Sequence, residues 1–129
     1  MKTGGMEIPW IYYQSSGFII QNVTGNHLGK GYSGKGIYCN VPTYEHLKDE
    51  GTIPRGKYKI GKAFHHHKTG QYTMRLTPVG HNAHGRTGLL IHGDSKDNPG
   101  GASTGCIVLP LHSRMLISAS KDTDLEVIL

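Results

Sequence analysis

"GLLIHGDSKDNPGGASTGCIVL", residues 88–109, reads as strand, loop, strand. "GLLIH" is apolar and ends at His92, "GCIVL" is apolar and carries Cys106 at its start, and small or polar residues from Asp94 to Thr104 lie between them. With the two strands side by side, His92 and Cys106 face each other at one rim of a sheet. A cysteine nucleophile needs a base or cation that favours the thiolate, access for substrate, and donors for the oxyanion that forms. His92 meets the first need. Gly105 lets the chain turn sharply, and its N–H and that of Cys106 are candidates to point at a reacting carbonyl. For orienting the imidazole the candidates are Ser103, Asp94 or a backbone carbonyl. Ser103 also suits the oxyanion site, and Asp94 equally suits a cap on the following turn. The competing reading is structural: Cys106 begins a buried strand, as free cysteines often do, and His92 caps a turn.

The same punctuation extends outward. "WIYYQ" (10–14), "GFIIQNV" (17–23), "GKYKIGKAF" (56–64), "QYTMRLTPV" (71–79) and "LEVIL" (125–129) are rich in Ile, Val, Tyr and Thr, and Gly, Pro or Asn bounds most of them. Tyr72, Met74 and Leu76 alternate with Thr73, Arg75 and Thr77, the period of a strand with one buried face. "HHHKTGQY" reads as the loop of a hairpin joining residues 57–64 to 71–77. Two segments suit helices. "PTYEHLKDEG" (42–51) opens with proline and closes with glycine. "PLHSRMLISAS" (110–120) places Leu111, Met115 and Ile117 or Ser118 on one face. The expected class is mainly β, a sandwich or barrel of short strands with about two short helices.

With 129 residues the chain makes a single domain, 1–129. Its net charge of +5 favours anionic partners, wall polymers included. The basic residues are scattered and form no nucleic-acid motif, so nucleic acid is not an expected partner. No apolar run approaches the roughly 20 residues of a membrane span. "MKTGGMEIPW" lacks an apolar signal core, so synthesis in the cytoplasm without a signal peptide is the expectation. Cys39 and Cys106 are too few for a disulfide framework, and the sequence leaves open whether they meet.

"HG" followed by "STGCI" resembles the signature of L,D-transpeptidase (YkuD-like) catalytic domains: His-Gly, a loop, then Ser or Thr, any residue, Gly, Cys. The blocks "GKGYSGKG", "GTIPRGKYKIG", "TGQYTMRLTP", "GRTGLLIHGDS", "NPGGASTGCIVL" and "LEV" follow one another as in the L,D-transpeptidase-like effectors of type VI secretion systems, from about Trp10 to Val127. The resemblance implies a YkuD-like β-sandwich or barrel of mixed strands, with no metal and no organic cofactor. It implies action on peptidoglycan stem peptides in the periplasm of target bacteria, after export by a secretion apparatus. In that chemistry Cys106 attacks the carbonyl of the third-position diamino acid of a tetrapeptide stem. D-Alanine leaves, and water, a free D-amino acid or a neighbouring stem resolves the thioester. A toxin of this kind implies a periplasmic immunity protein. Many YkuD members carry a basic or polar pair after the cysteine, often ending in arginine. Here the pair is Ile107 and Val108, so that role passes elsewhere, with Arg86 and Arg75 as candidates.

Tyr32 and Ser33 in "GYSG", His81 and His84 in "GHNAHGR", Arg86, Asp94 and Thr104 are the candidate substrate-facing residues. "HHH" at 65–67 invites a metal, but adjacent strand histidines point to opposite faces and lack companions at ligand spacing, so a solvated hairpin tip is expected. Cys39 is expected to be a packed thiol. An NlpC/P60-like peptidase places its cysteine before its histidine, the reverse of this chain. The remaining alternatives are a housekeeping cross-linking L,D-transpeptidase and a non-catalytic wall-binding module.

Overall fold

A computed structural model describes residues 9–22, 25 and 27–129. The segment read for a leader, apart from Pro9 and Trp10, and Val23 at the end of the second expected strand lie outside the described residues. Ten strands and one α-helix are found among the described residues: β1 (Trp10–Tyr13), β2 (Phe18–Gln21), β3 (His27–Lys30), β4 (Tyr32–Ser33), β5 (Gly56–Ile60), β6 (Phe64–His66), β7 (Gly70–Val79), β8 (Leu90–His92), β9 (Ile107–Val108), α1 (Leu111–Ala119) and β10 (Asp124–Ile128). The class is mainly β, as the sequence predicts.

The strands form one sheet in the order β3-β2-β1-β10-β5-β7-β8-β9-β4, with β6 added beside β7. Its two ends, β3 and β4, are consecutive in the chain and separated only by Gly31. The Gly31 N–H donates to the Gly17 carbonyl at 2.7 Å, and a Cβ on Gly31 would overlap the Val108 carbonyl. The sheet therefore curls into a nearly closed barrel whose seam passes through this one glycine. Pairing is mixed: β1 runs parallel to β10, β8 runs parallel to β9, and the other pairs are antiparallel.

The core fills the barrel. Trp10 and Tyr12 of β1, Tyr58 and Ile60 of β5, Met74 and Leu76 of β7, Ile91 of β8, Ile107 of β9, and Leu125 and Val127 of β10 point inward. Along β5 and β10 the outward residues are Lys57 and Lys59, and Asp124, Glu126 and Ile128, a strict period of two. In β7 that period holds from Met74 to Thr77 and fails before it. Tyr72 takes a left-handed φ of 56° and Thr73 is buried instead. The break falls at an irregular register between β6 and β7, and the buried Thr73 hydroxyl is satisfied by the Gly70 carbonyl at 2.9 Å and Thr69 Oγ1 at 2.7 Å.

Both expected helices are corrected in detail. Over 42–51 only a 3-10 turn forms, Pro42–Tyr44. A helix here would direct the Glu45 carbonyl to the N–H four residues on, but that carbonyl accepts from Arg86 at 2.6 Å, and Gly51 and Thr52 also give theirs to Arg86. Over 110–120 the helix forms as α1, with a different buried face. Ser113, Arg114 and Ile117 face inward, while Leu111 and Met115 remain 49% and 45% exposed. The Ser113 hydroxyl reaches the Leu28 carbonyl of β3 at 2.6 Å, which fixes that rotation of the helix.

Candidate functional site

β8 and β9 pair in parallel, with Ile91 opposite Ile107 and His92 opposite Val108. Parallel neighbours need a crossover of a dozen or more residues, which accounts for the long polar loop between His92 and Cys106. Ile91 and Ile107 point into the core, so Leu90, His92, Cys106 and Val108 point the other way. The register sets Cys106 beside Leu90, two residues from His92, a Cα separation of roughly 8 Å across neighbouring strands. His92 and Cys106 line one cavity of about 770 Å³. The β6–β7 turn contributes Lys68 and Thr69 to its wall, and the crossover loop contributes Asp94, Lys96 and Thr104.

His92 is almost fully buried, and its Nδ1 lies 2.8 Å from the Gly93 carbonyl. A carbonyl only accepts, so Nδ1 carries the proton and Nε2 keeps its lone pair. Among the candidates for orienting the imidazole, the structure places the Gly93 carbonyl on it. Burial pushes the imidazole below its usual 6.5, aided by Arg114 and opposed by the Gly93 hydrogen bond. Burial likewise pushes the Cys106 thiol up, against the Leu90 N–H and the Arg86 guanidinium, which favour the thiolate. The S–H points to the Gly88 carbonyl at 3.7 Å.

Ser103 lies under the turn, away from His92. Its Oγ accepts from the Gly34 N–H at 2.9 Å and the Gly105 N–H at 3.1 Å, and donates to the Cys106 carbonyl at 2.7 Å. The Gly105 N–H is thereby engaged within the protein rather than turned to the cavity. Gly105 has φ +129°, and a Cβ there would overlap the Arg86 guanidinium. Asp94 lines the cavity and ties the crossover loop, accepting from the Tyr32 hydroxyl at 2.6 Å and from the Ser95 and Gly100 N–H groups. Burial opposes its charge, but these donors outweigh burial and hold the carboxyl below its usual range. The Tyr32 oxygen also accepts the Ala102 N–H at 2.8 Å; burial, with Asp94 alongside, pushes this hydroxyl up to about 12.

Most other expected residues lie elsewhere. Ser33 is fully buried, bonded to the Gly105 carbonyl and the Ile53 N–H, and does not reach the cavity. His84 bonds Glu45 at 3.0 Å, and His81 bonds the Lys57 carbonyl at 2.9 Å. Thr104 is exposed on the cavity wall. Arg86 is buried behind the Cys106 turn. Cys39 and Cys106 are both free thiols. At the hairpin tip His66 stacks on His67 with centroids 4.7 Å apart, and its Nδ1 accepts the Lys68 N–H. Among the described residues no three His, Cys, Asp or Glu side chains are grouped to hold a metal, and no helix is long and apolar enough to cross a membrane. Sequence reasoning passed over Arg114, whose guanidinium lies behind Gly93. Its only signal was a long cation beside Met115 and Leu116 in a short helix.

No curated protein matches the chain. The model of one protein family, described as the Tlde1 domain, matches residues 27–127, a span that takes in β3 to β9, α1, most of β10 and the whole cavity. With most of its length matched, including both His92 and Cys106, the chain belongs to the Tlde1 domain family of type VI secretion effectors, antibacterial proteins that target peptidoglycan.

Proposed function

We propose that the protein is a cysteine-dependent L,D-carboxypeptidase and L,D-transpeptidase of the D-amino-acid-exchange kind, acting on tetrapeptide stems in the periplasm of target bacteria. The observation that carries this reading is that Cys106 and His92 open onto one cavity, with Nε2 of His92 free to take a proton. His92 Nε2 accepts the Cys106 proton as the sulfur attacks the carbonyl of the third-position diamino acid. The C–N bond to D-alanine breaks, the imidazolium protonates the leaving amine, and the acyl group stays on sulfur as a thioester. Water attack, with His92 as base, returns the free thiol and a tripeptide stem. Attack by the amine of a D-amino acid returns the thiol and an exchanged stem. Lys68 and Lys96 on the cavity wall suit the carboxylates of the stem. No step calls on a metal or organic cofactor. A periplasmic immunity protein that blocks this cavity is the partner such a toxin requires.

Mass spectrometry of tetrapeptide muropeptides incubated with the protein, with and without free D-amino acid, tests the reading. The expected result is loss of D-alanine, or its replacement, abolished by Cys106→Ala and reduced at least a hundredfold by His92→Ala. Dimer formation from stems alone points instead to the cross-linking alternative. Unchanged stems with folded wild-type protein reject the enzyme and leave a binding module.

A further inference from the structure

Two arginines are buried against backbone on the two flanks of the Cys106–His92 pair, and neither has a carboxylate partner among the described residues. Arg86 donates from Nη1 to the carbonyls of Glu45 and Thr52, at 2.6 and 2.9 Å, and from Nη2 to that of Gly51 at 3.0 Å. Its guanidinium fills the space that a Cβ on Gly105 would occupy, one residue before Cys106, and shares a small niche with Cys106. Just before Arg86, Ala83, His84 and Gly85 all take left-handed φ values of 52°, 56° and 74°. Two non-glycine residues in that region cost about 1 kcal/mol or more each, strain that persists only where the surroundings impose it. Arg114 donates from Nε to the Leu109 carbonyl at 3.0 Å and from Nη1 to that of Gln71 at 2.6 Å. A Cβ on Gly93 would lie 2.6 Å from its Nη2, and Gly93 supplies the carbonyl that holds His92.

We propose that Arg86 and Arg114 are paired positioning residues, each bracing the backbone that carries one member of the Cys106–His92 pair and each setting the charge which that member meets. A buried cation satisfied only by carbonyls is costly, and its charge is poorly screened by solvent. Beside Cys106 that charge favours the sulfur anion. Behind His92 it disfavours the imidazolium and keeps Nε2 ready to accept. The other charged groups near Cys106 are Lys48 and Asp49 of the 45–52 segment, with Lys68, Asp94, Lys96 and Asp97 on the cavity it shares with His92 and the Leu90 N–H also on the sulfur. Those facing His92 are His66 of β6 and Asp94 of the crossover loop, with Lys68, Lys96 and Asp97 on the same cavity. The inference rests on the reading of this pair as the reacting groups.

The test titrates both groups without substrate. In a Cys39→Ser background, iodoacetamide alkylation of Cys106 is followed against pH, and the His92 ring is followed by NMR. Arg86→Gln is expected to move the alkylation midpoint up by about one pH unit, and Arg86→Lys to leave it nearly in place. Arg114→Gln is expected to move the His92 midpoint up by a similar amount, and Arg114→Lys to spare it. Because the Gln variants remove buried bonds and can unfold, the wild type carries a parallel reading: the Nε–H resonance of Arg86 should follow the Cys106 midpoint, and that of Arg114 the His92 midpoint. Folded Gln variants with unmoved midpoints, or wild-type arginine resonances that ignore both titrations, overturn the inference. Shifted midpoints in a protein that leaves stems intact would reject the proposed reaction and keep the arginine pair. Unmoved midpoints in an active protein would do the reverse.

Discussion

Ser103 shows how much one buried hydroxyl can organise. It takes two N–H donors and gives its proton to the Cys106 carbonyl, so three backbone groups around the Cys106 turn depend on a single oxygen. Ser103→Ala should lower stability by about 2–4 kcal/mol in denaturant titration, since buried groups left unpaired cost about 1–3 kcal/mol each. It should also cut stem trimming at least tenfold at temperatures where the variant is folded. The imidazole yields a second prediction, with a definite sign. His92 must be neutral to accept the thiol proton, and burial lowers the pH at which it charges. Under the proposed mechanism the acid limb of kcat/KM is therefore expected below pH 6.5; a limb centred above 6.5 would contradict a buried imidazole. Cys106 and His92 stood out in the sequence because reactive side chains flank two short apolar strands. The bracing role of Ser103 did not, because a serine two residues before a glycine–cysteine pair suits contact with the imidazole or with the oxyanion as well as with the turn.

The element α1 separates pattern from packing. Its apolar residues at Leu111 and Met115 suggest a core face, yet they are exposed and the inward face is Ser113, Arg114 and Ile117. Hydrogen bonds to the carbonyls of Leu28, Leu109 and Gln71 set the rotation, and directional bonds to buried acceptors outrank two partly exposed side chains. Ile117→Ala is accordingly expected to cost about 2–4 kcal/mol, and Met115→Gln to stay within about 0.5 kcal/mol, by thermal or urea unfolding. The β8–β9 pair shows the same division. Apolar composition identified both strands, but their parallel pairing depends on neighbours remote in the chain. That pairing lays the crossover loop along the cavity and puts His92 and Cys106 on one face.

At the scale of the molecule, Glu45 joins separate regions. Its carboxylate accepts from Gln14 after β1, from Arg55 before β5 and from His84 ahead of β8, while its carbonyl holds Arg86. Burial opposes its charge, but the Gln14, His84 and Arg55 hydrogen bonds outweigh burial and bring the carboxyl down to about 2. A carboxylate depressed in the folded state stabilises fully above its unfolded value near 4.5 and loses that contribution as pH falls toward 2. Unfolding measured from pH 6 to 2 should show this decline in the wild type and a flatter one in Glu45→Gln. The sequence by itself determined the mainly β class, most strands, a hairpin leading into 71–77 and the candidate pair His92 and Cys106, because alternation, turn residues and a His–Cys block are local properties. The tertiary structure alone decided closure of the barrel through Gly31, the fate of segment 42–51, the buried face of α1 and the places of Arg86 and Arg114. Each of these depends on which backbone carbonyls and cavities distant segments bring together, and no local pattern records that.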